Sequence, residues 1–143
     1  MKKGVDYPGI AIVYLCHDGQ GNFLFHQRGK NCRDERGRWD CGGGGLKFGE
    51  KVEEVLKREI KEEYSTDVLD YEFITYDDVH RVHDGQKTHW LALRFLVLVD
   101  RQRVKNGEPD KFDEISWFKL DNLPDNLHSQ LPKFLAEYKN KLL

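Results

Sequence analysis

Glu59, Glu62 and Glu63 recur at spacings of three and one in the run from Gly44 to Thr66, GGLKFGEKVEEVLKREIKEEYST. At about 100° per residue, a helix over this run gathers the three carboxylates into one sector, with Val52 and Val55 on the same line one or two turns earlier. The stripe therefore passes from apolar to acidic. Carboxylates that prolong a core-facing stripe are partly desolvated and repel one another, an expense of several kcal/mol unless cations neutralise them. Oxygen donors in such a cluster suit hard divalent ions. A helix rich in Glu and Lys is more often a solvated face laced with i,i+4 pairs, so the neighbouring elements must decide between the two readings.

Four glycines, Gly42 to Gly45, lead into the helix and read as a turn that brings backbone close to an anion, because a flexible linker seldom joins a strand directly to a charged amphipathic helix. The helix is expected from about Glu50 to Tyr64, with Glu53 and Glu54 near its positive end and Val52, Val55, Leu56 and Ile60 on its apolar face. Upstream, Gly9 to Cys16 and Phe23 to Gln27 flank the turn HDGQGN, a hairpin signal. The polar, basic stretch Arg28 to Arg38 is expected to be a loop that moves when nothing occupies it. Downstream, Val68 to Val82 and Thr88 to Val99 read as long antiparallel strands around Asp84-Gly85-Gln86. Leu91 to Val99 is so apolar that it should be central and covered on both faces. Glu114 to Leu120 is a further strand, and His128 to Leu142 a closing helix with apolar Leu131, Phe134, Leu135, Tyr138 and Leu142. With no repeat or internal linker, the chain reads as one α+β domain spanning 1–143.

Composition narrows the function classes. Charged residues at 34%, hydrophobic residues at 38% and a formal net charge of −2 exclude a disordered or polybasic chain, and no stable nucleic-acid partner is expected. Cys16, Cys32 and Cys41 form neither a CxxC pair nor an even framework, so reduced thiols in a cytoplasmic protein are expected rather than disulfides or structural zinc. The opening MKKGVDYPG carries no apolar run, and no stretch approaches membrane-spanning length.

The run Gly44 to Thr66 resembles the signature box of the Nudix hydrolases: a glycine, five residues, Glu, seven residues, then Arg-Glu-apolar-x-Glu-Glu-x-Gly-apolar. Gly44, Glu50, Arg58-Glu59, Ile60 and Glu62-Glu63 fill the fixed positions. Ser65 stands where the family has glycine, which suggests a locally different helix end rather than a lost site. Thr66 is only partly apolar. The order of elements around the box follows the family as well. The resemblance implies an α/β/α sandwich with a mixed sheet, a box helix and a C-terminal helix. It also implies hydrolysis of the diphosphate in a nucleoside diphosphate derivative with Mg²⁺ or Mn²⁺. Carried over by position, Glu59, Glu62 and Glu63 are metal ligands, with one of them a candidate base, the Gly43 carbonyl is a further ligand, and Glu50 and Arg58 brace the array. Metals in such a site neutralise phosphate oxygens and acidify an attacking water.

Other residues are candidates with ordinary alternatives. Arg28 is either a surface charge or the cation that resembling enzymes place there to hold phosphate. His80, His83 and His89 are by default structural or surface histidines; His89 is singled out for substrate binding because it begins the central strand. A further carboxylate ligand is expected from the loop holding Glu108, Asp110, Asp113 and Glu114, with Asp110 favoured by its distance before Trp117. Trp39 and Trp117 are the preferred aromatic walls for a base. No proline lies between Pro8 and Pro109, unlike the ADP-ribose branch, and the tail GEPDKFDEISWFKLDNLPDNL is similar to that of the MutT-like triphosphate pyrophosphohydrolases. The expected partner is a small-molecule nucleotide, most simply a (d)NTP cleaved to (d)NMP and pyrophosphate. ADP-ribose or nucleotide-sugar hydrolysis and a noncatalytic sensing module are the rivals, no membrane is involved, and a homodimer is left open.

Overall fold

Alternation along the first strand decides which helix each side chain meets. In a computed structural model that describes residues 1–142, β1 (Gly9–His17) points Ile12, Tyr14 and Cys16 at one helix and Leu15 at another. The chain continues through β2 (Phe23–Arg28), β3 (Trp39–Asp40), β4 (Gly42–Gly45), α1 (Val52–Tyr64), β5 (Val68–His83), β6 (Gln86–Val99), β7 (Phe112–Phe118), α2 (Leu131–Glu137) and α3 (Lys139–Leu142). One seven-stranded sheet runs in the order β3-β2-β1-β6-β5, with β4 also on β1 and β7 also on β2. β1 and β6 are parallel from Gly9–Trp90 to His17–Leu98, whereas the other pairs are antiparallel, so the sheet is mixed.

Each face of the sheet carries its own core. Val55, Leu56, Ile60 and Tyr64 of α1 pack on Ile12, Tyr14, Leu24 and Val97. On the opposite face Leu131, Phe134, Leu135 and Leu142 pack on Leu15, Phe23, Phe25 and Leu96. This is the α+β sandwich, in which β6 lies between β1 and β5 and is covered on both faces, with β1 at the centre. Full burial of side chains this size stabilises by about 1.5–3 kcal/mol each.

Boundaries differ from expectation for local reasons. α1 begins at Val52, one turn's edge later than Glu50, because the Glu50 carboxylate accepts the Lys47 amide at 2.9 Å and closes a turn ahead of the helix. The closing helix is broken at Tyr138 into α2 and α3, and Pro132 sits in the first turn of α2, where its missing N–H costs nothing. β5 and β6 meet in a two-residue turn, with φ of 51° at Asp84 and 77° at Gly85, the type I′ geometry that matches strand twist. Ser65 occupies the left-handed conformation itself, φ 57° and ψ 23°, and its amide donates to Lys61 O at 3.0 Å. The helix end is thus the one glycine would give, not the different cap expected; Ser bears the strain because Lys105 N and Gly107 N donate to Tyr64 O and Glu63 O at 2.9 Å and fasten this end. Thr66 fits the core by donating its hydroxyl to Asp100 O at 2.7 Å.

Candidate active site

The edge of β1 that does not carry β6 is shared by two strands. β2 pairs with it at Cys16 and His17, and β4 takes it from Ala11 to Tyr14. The chain crosses from β3 on β2 to β4 on β1 through Cys41, so the sheet splits between these attachments. A cavity of about 630 Å³ opens at the split, with Ala11 and Val13, Gly42 to Gly44, His26 and Arg28, and Trp90 and Arg94 among its walls.

α1 lies directly on β4. A Cβ at Gly44 would overlap the Glu59 carboxyl group, and one at Gly42 would overlap the Tyr14 ring and come within 2.7 Å of Glu63 Oε1. The glycine run is therefore a strand stripped of side chains to admit the helix glutamates, and not the turn expected from sequence. Glu63 is 8% exposed and forms part of the cavity wall. The Tyr14 hydroxyl donates to its Oε1, as does the Gly43 amide at 3.2 Å. Burial pushes the Glu63 carboxyl up to about 8; the Gly43 amide opposes this, the Glu108 charge adds to it and Lys111 reduces it.

The other two helix carboxylates stand differently. Glu59 is half-buried and pairs with Arg58 at 3.1 Å, and Arg58 also pairs with Glu50. Glu62 is exposed. Among the described residues these three glutamates do not bring their oxygens within 4.8 Å of one another. The donor set fits a hard divalent cation nonetheless: three carboxylates, the buried one uncompensated by any fixed cation pair, beside backbone that carries no side chains.

The loop between Lys105 and Asp110 supplies a fourth acid. Its amides cap α1, and a Cβ at Gly107 would overlap Glu62 O, so it lies tight against the helix end. That placement puts Glu108, rather than Asp110, where its charge reaches Glu63. Asp110 is exposed, and its carbonyl accepts from Asn31 at 2.8 Å.

The opposite wall holds its own charges in pairs. Arg28 lines the cavity but is bound to Asp34 at 2.9 Å and Asp40 at 3.5 Å. Arg81 reaches Asp34 at 3.3 Å and Glu35 at 2.9 Å, and His128 Nε2 meets Glu35 at 2.7 Å. The Ser129 amide and hydroxyl donate to Glu35 at 2.8 and 2.9 Å. Burial would raise the Glu35 carboxyl, yet these Ser129 and Arg81 bonds and the nearby His128 hold it below its ordinary value. The loop of residues 28–38 is thus tied at both ends and its middle, unlike the free segment expected. Arg33 is the exception: it is exposed, lines the cavity and makes no ion pair among the described residues.

Several expected site residues lie elsewhere. Trp39 is buried on the α2 side, edge-on to Phe118 at 5.2 Å. Trp117 packs on the α1 core beneath Arg101 at 4.6 Å. His89 is on the face of β6 away from the cavity, stacked on His80 and 3.1 Å from Asp78. None of the three lines the cavity, whereas Gly43 and Arg28 do. Sequence reasoning missed Tyr14, His26, Arg33 and Arg94. Arg94 had a visible signal, one cation inside LALRFLVLV; it is 4% exposed, paired with Asp77 at 2.5 Å and stacked on Phe134. His26 gave no signal in its sequence context. It lies on Phe112 with centroids 3.7 Å apart and meets the Tyr64 hydroxyl at 2.7 Å. Burial, then Arg28 and His128, push its ring down to about 3, so it is neutral and fixes the cavity floor without adding charge.

Comparison with known proteins agrees with this geometry. A family model described as NUDIX domain matches residues 7–138. The RNA pyrophosphohydrolase of Gluconacetobacter diazotrophicus is 30% identical over 143 residues, covering 87% of this chain and 86% of the relative. The nucleoside triphosphatase NudI of Escherichia coli is 34% identical over 94 residues, covering 61% of this chain and 65% of that protein. The crystal structure of a MutT NUDIX hydrolase from Burkholderia pseudomallei superposes with a TM-score of 0.79 at 26% identity, over 92% of this chain and 98% of that one.

Proposed function

For a chain that belongs to the NUDIX family, we propose a nucleoside or deoxynucleoside triphosphate as the substrate and the monophosphate and pyrophosphate as the products. The chain is a pyrophosphohydrolase of nucleotide derivatives, and NUDIX enzymes work with divalent metal ions. The finer metal assignment is Mg²⁺ or Mn²⁺ held by Glu59, Glu62 and Glu63, with Glu108 as the loop carboxylate. Such an ion supplies charge that neutralises phosphate oxygens and acidifies water. Within the chain, Arg58 holds Glu59 in place and is itself anchored by Glu50. Tyr14 and the Gly43 amide orient Glu63 toward the cavity. Arg33, which lines the cavity unpaired among the described residues, is the cation available to a polyphosphate; Lys111, paired with Glu108 at 3.4 Å, and Arg28, paired with Asp34 and Asp40, become so only by releasing those carboxylates. The three cysteines are buried free thiols, which supports a reducing, cytoplasmic setting, and no described helix is long and apolar enough to cross a membrane.

One observation carries this reading: a buried carboxylate with no cation paired to it, held by Tyr14 and the Gly43 amide, forms the wall of a cavity sized for a nucleotide. A panel of (d)NTPs, ADP-ribose and nucleotide sugars with product identification tests it. Pyrophosphate and a monophosphate from triphosphates are expected; AMP and a sugar phosphate as the dominant products would replace it with the ADP-ribose reading. A second reading, removal of pyrophosphate from a 5′-triphosphorylated RNA, is favoured by the length over which the RNA pyrophosphohydrolase relative matches. A 5′-triphosphate oligonucleotide in the same panel decides it, by turning over faster than any free nucleotide.

A further inference from the structure

The far end of the β5–β6 ribbon carries donors that the hydrolytic site does not use. Beyond Trp90, where β1 ends its pairing, the Gly4 carbonyl reaches the edge of β6 away from β5, accepting from His89 N at 2.8 Å. His80 and His89 face each other across the ribbon. Because the His89 amide points away from β5, this is a non-hydrogen-bonded pair, the class in which side chains stand closest. Their rings stack with centroids 4.1 Å apart and 19° between planes. Asp78, two residues before His80 on the same face, places Oδ1 3.1 Å from His89 Nε2. Among the described residues this is the one group whose ligand atoms all lie within 4.8 Å of one another.

We propose that Asp78, His80 and His89 form a second metal site, separate from the α1 carboxylates, that takes a borderline transition-metal ion such as Zn²⁺. Two imidazoles and a carboxylate are the donors such ions prefer over Mg²⁺, and three protein ligands plus water complete a four-coordinate shell. Ligands bonded at about 2.0–2.1 Å in tetrahedral geometry stand about 3.3 Å apart, close to the Asp78–His89 separation already present. His80 offers a ring nitrogen within 4.8 Å of the other two donors and enters the same shell when its ring turns out of the stack, so that its in-plane lone pair points at the ion. The opposite face of this ribbon presents Val79, Arg81, Thr88 and Trp90 to the cavity, so a metal here fixes the register of one cavity wall.

The test uses the full chain, stripped with a chelator and held in millimolar Mg²⁺ so that the α1 carboxylates are occupied. Zn²⁺ is titrated against a chromophoric competitor, and Co²⁺ replaces it for its visible d–d bands. Wild type is expected to take one Zn²⁺ and to give the intense bands of four-coordinate Co²⁺. His80→Gln and His89→Gln, at exposed and half-exposed positions, should each weaken binding at least about a hundredfold, and Glu62→Gln should leave it unchanged. Circular dichroism confirms that each variant is folded. The site is refuted if wild type takes no Zn²⁺, or if both histidine variants keep the wild-type equivalent.

Discussion

Two carboxylates near the same cavity are handled in opposite ways. Glu63, on the α1 side, is buried against Tyr14 and a backbone amide with no cation paired to it, and its pKa is driven up to about 8. Glu35, on the loop side, is only half-buried, and Arg81, His128 and Ser129 surround it, so its pKa falls. Apart from Arg33, the loop wall pairs its charges internally, so Glu35 and its partners are scaffold. On the α1 wall Glu63 has no cation paired to it, and a carboxylate left in that condition is what an external cation can use.

Substitutions should separate the two walls. Glu62→Gln and Glu63→Gln are each expected to cut turnover at least about a hundredfold at saturating Mg²⁺ without unfolding the protein. Near wild-type rates in both would dissolve the contrast. Glu35→Gln should act through stability instead, leaving Arg81 and His128 short of a partner and costing about 2 kcal/mol in chemical denaturation, with turnover changed only a few-fold. A hundredfold loss of turnover with unchanged stability would make Glu35 part of the chemistry.

Protonation gives the two residues opposite signs. The folded state raises the Glu63 pKa, so its contribution to stability is fully present below its ordinary value of 4.5 and is lost as pH climbs to about 8. In chelator, the melting temperature should therefore fall across this window, Mg²⁺ should reduce the fall, and Glu63→Gln should flatten it. The folded state lowers the Glu35 pKa, so its contribution is present above its ordinary value of 4.5 and disappears as pH drops through the folded value. A Glu35→Gln melting curve that differs from wild type at pH 7 but converges with it in acid is expected. The smallest effect belongs to the helix end shared by Glu62 and Glu63: Ser65→Gly relieves a left-handed residue and should stabilise by no more than about 1 kcal/mol.

Periodicity made α1, the β5–β6 ribbon and the central strand legible, because each repeats one pattern over many residues. The box spacing identified Glu59, Glu62 and Glu63 as a set, but not that one would be buried and another exposed; that depends on which side of the helix β4 covers. The glycines were misread as a turn since glycine needed for clearance looks the same in sequence as glycine needed for φ, and only the approach of Glu59 and Glu63 distinguishes them. Asp110 was preferred over Glu108 by chain distance, whereas capping of α1 by Gly107 sets which acid turns inward. Trp39, Trp117 and His89 depended on which face of a strand each occupies, and one residue of register reverses that.

Metal binding by the helix carboxylates is best measured without turnover, by following the Mn²⁺ resonance as stripped protein is added. Wild type should remove Mn²⁺ from solution, Glu35→Gln should do so equally, and Glu59→Gln, Glu62→Gln and Glu63→Gln should each weaken it at least about tenfold. Equal Mn²⁺ uptake by wild type and all three helix variants would contradict the account.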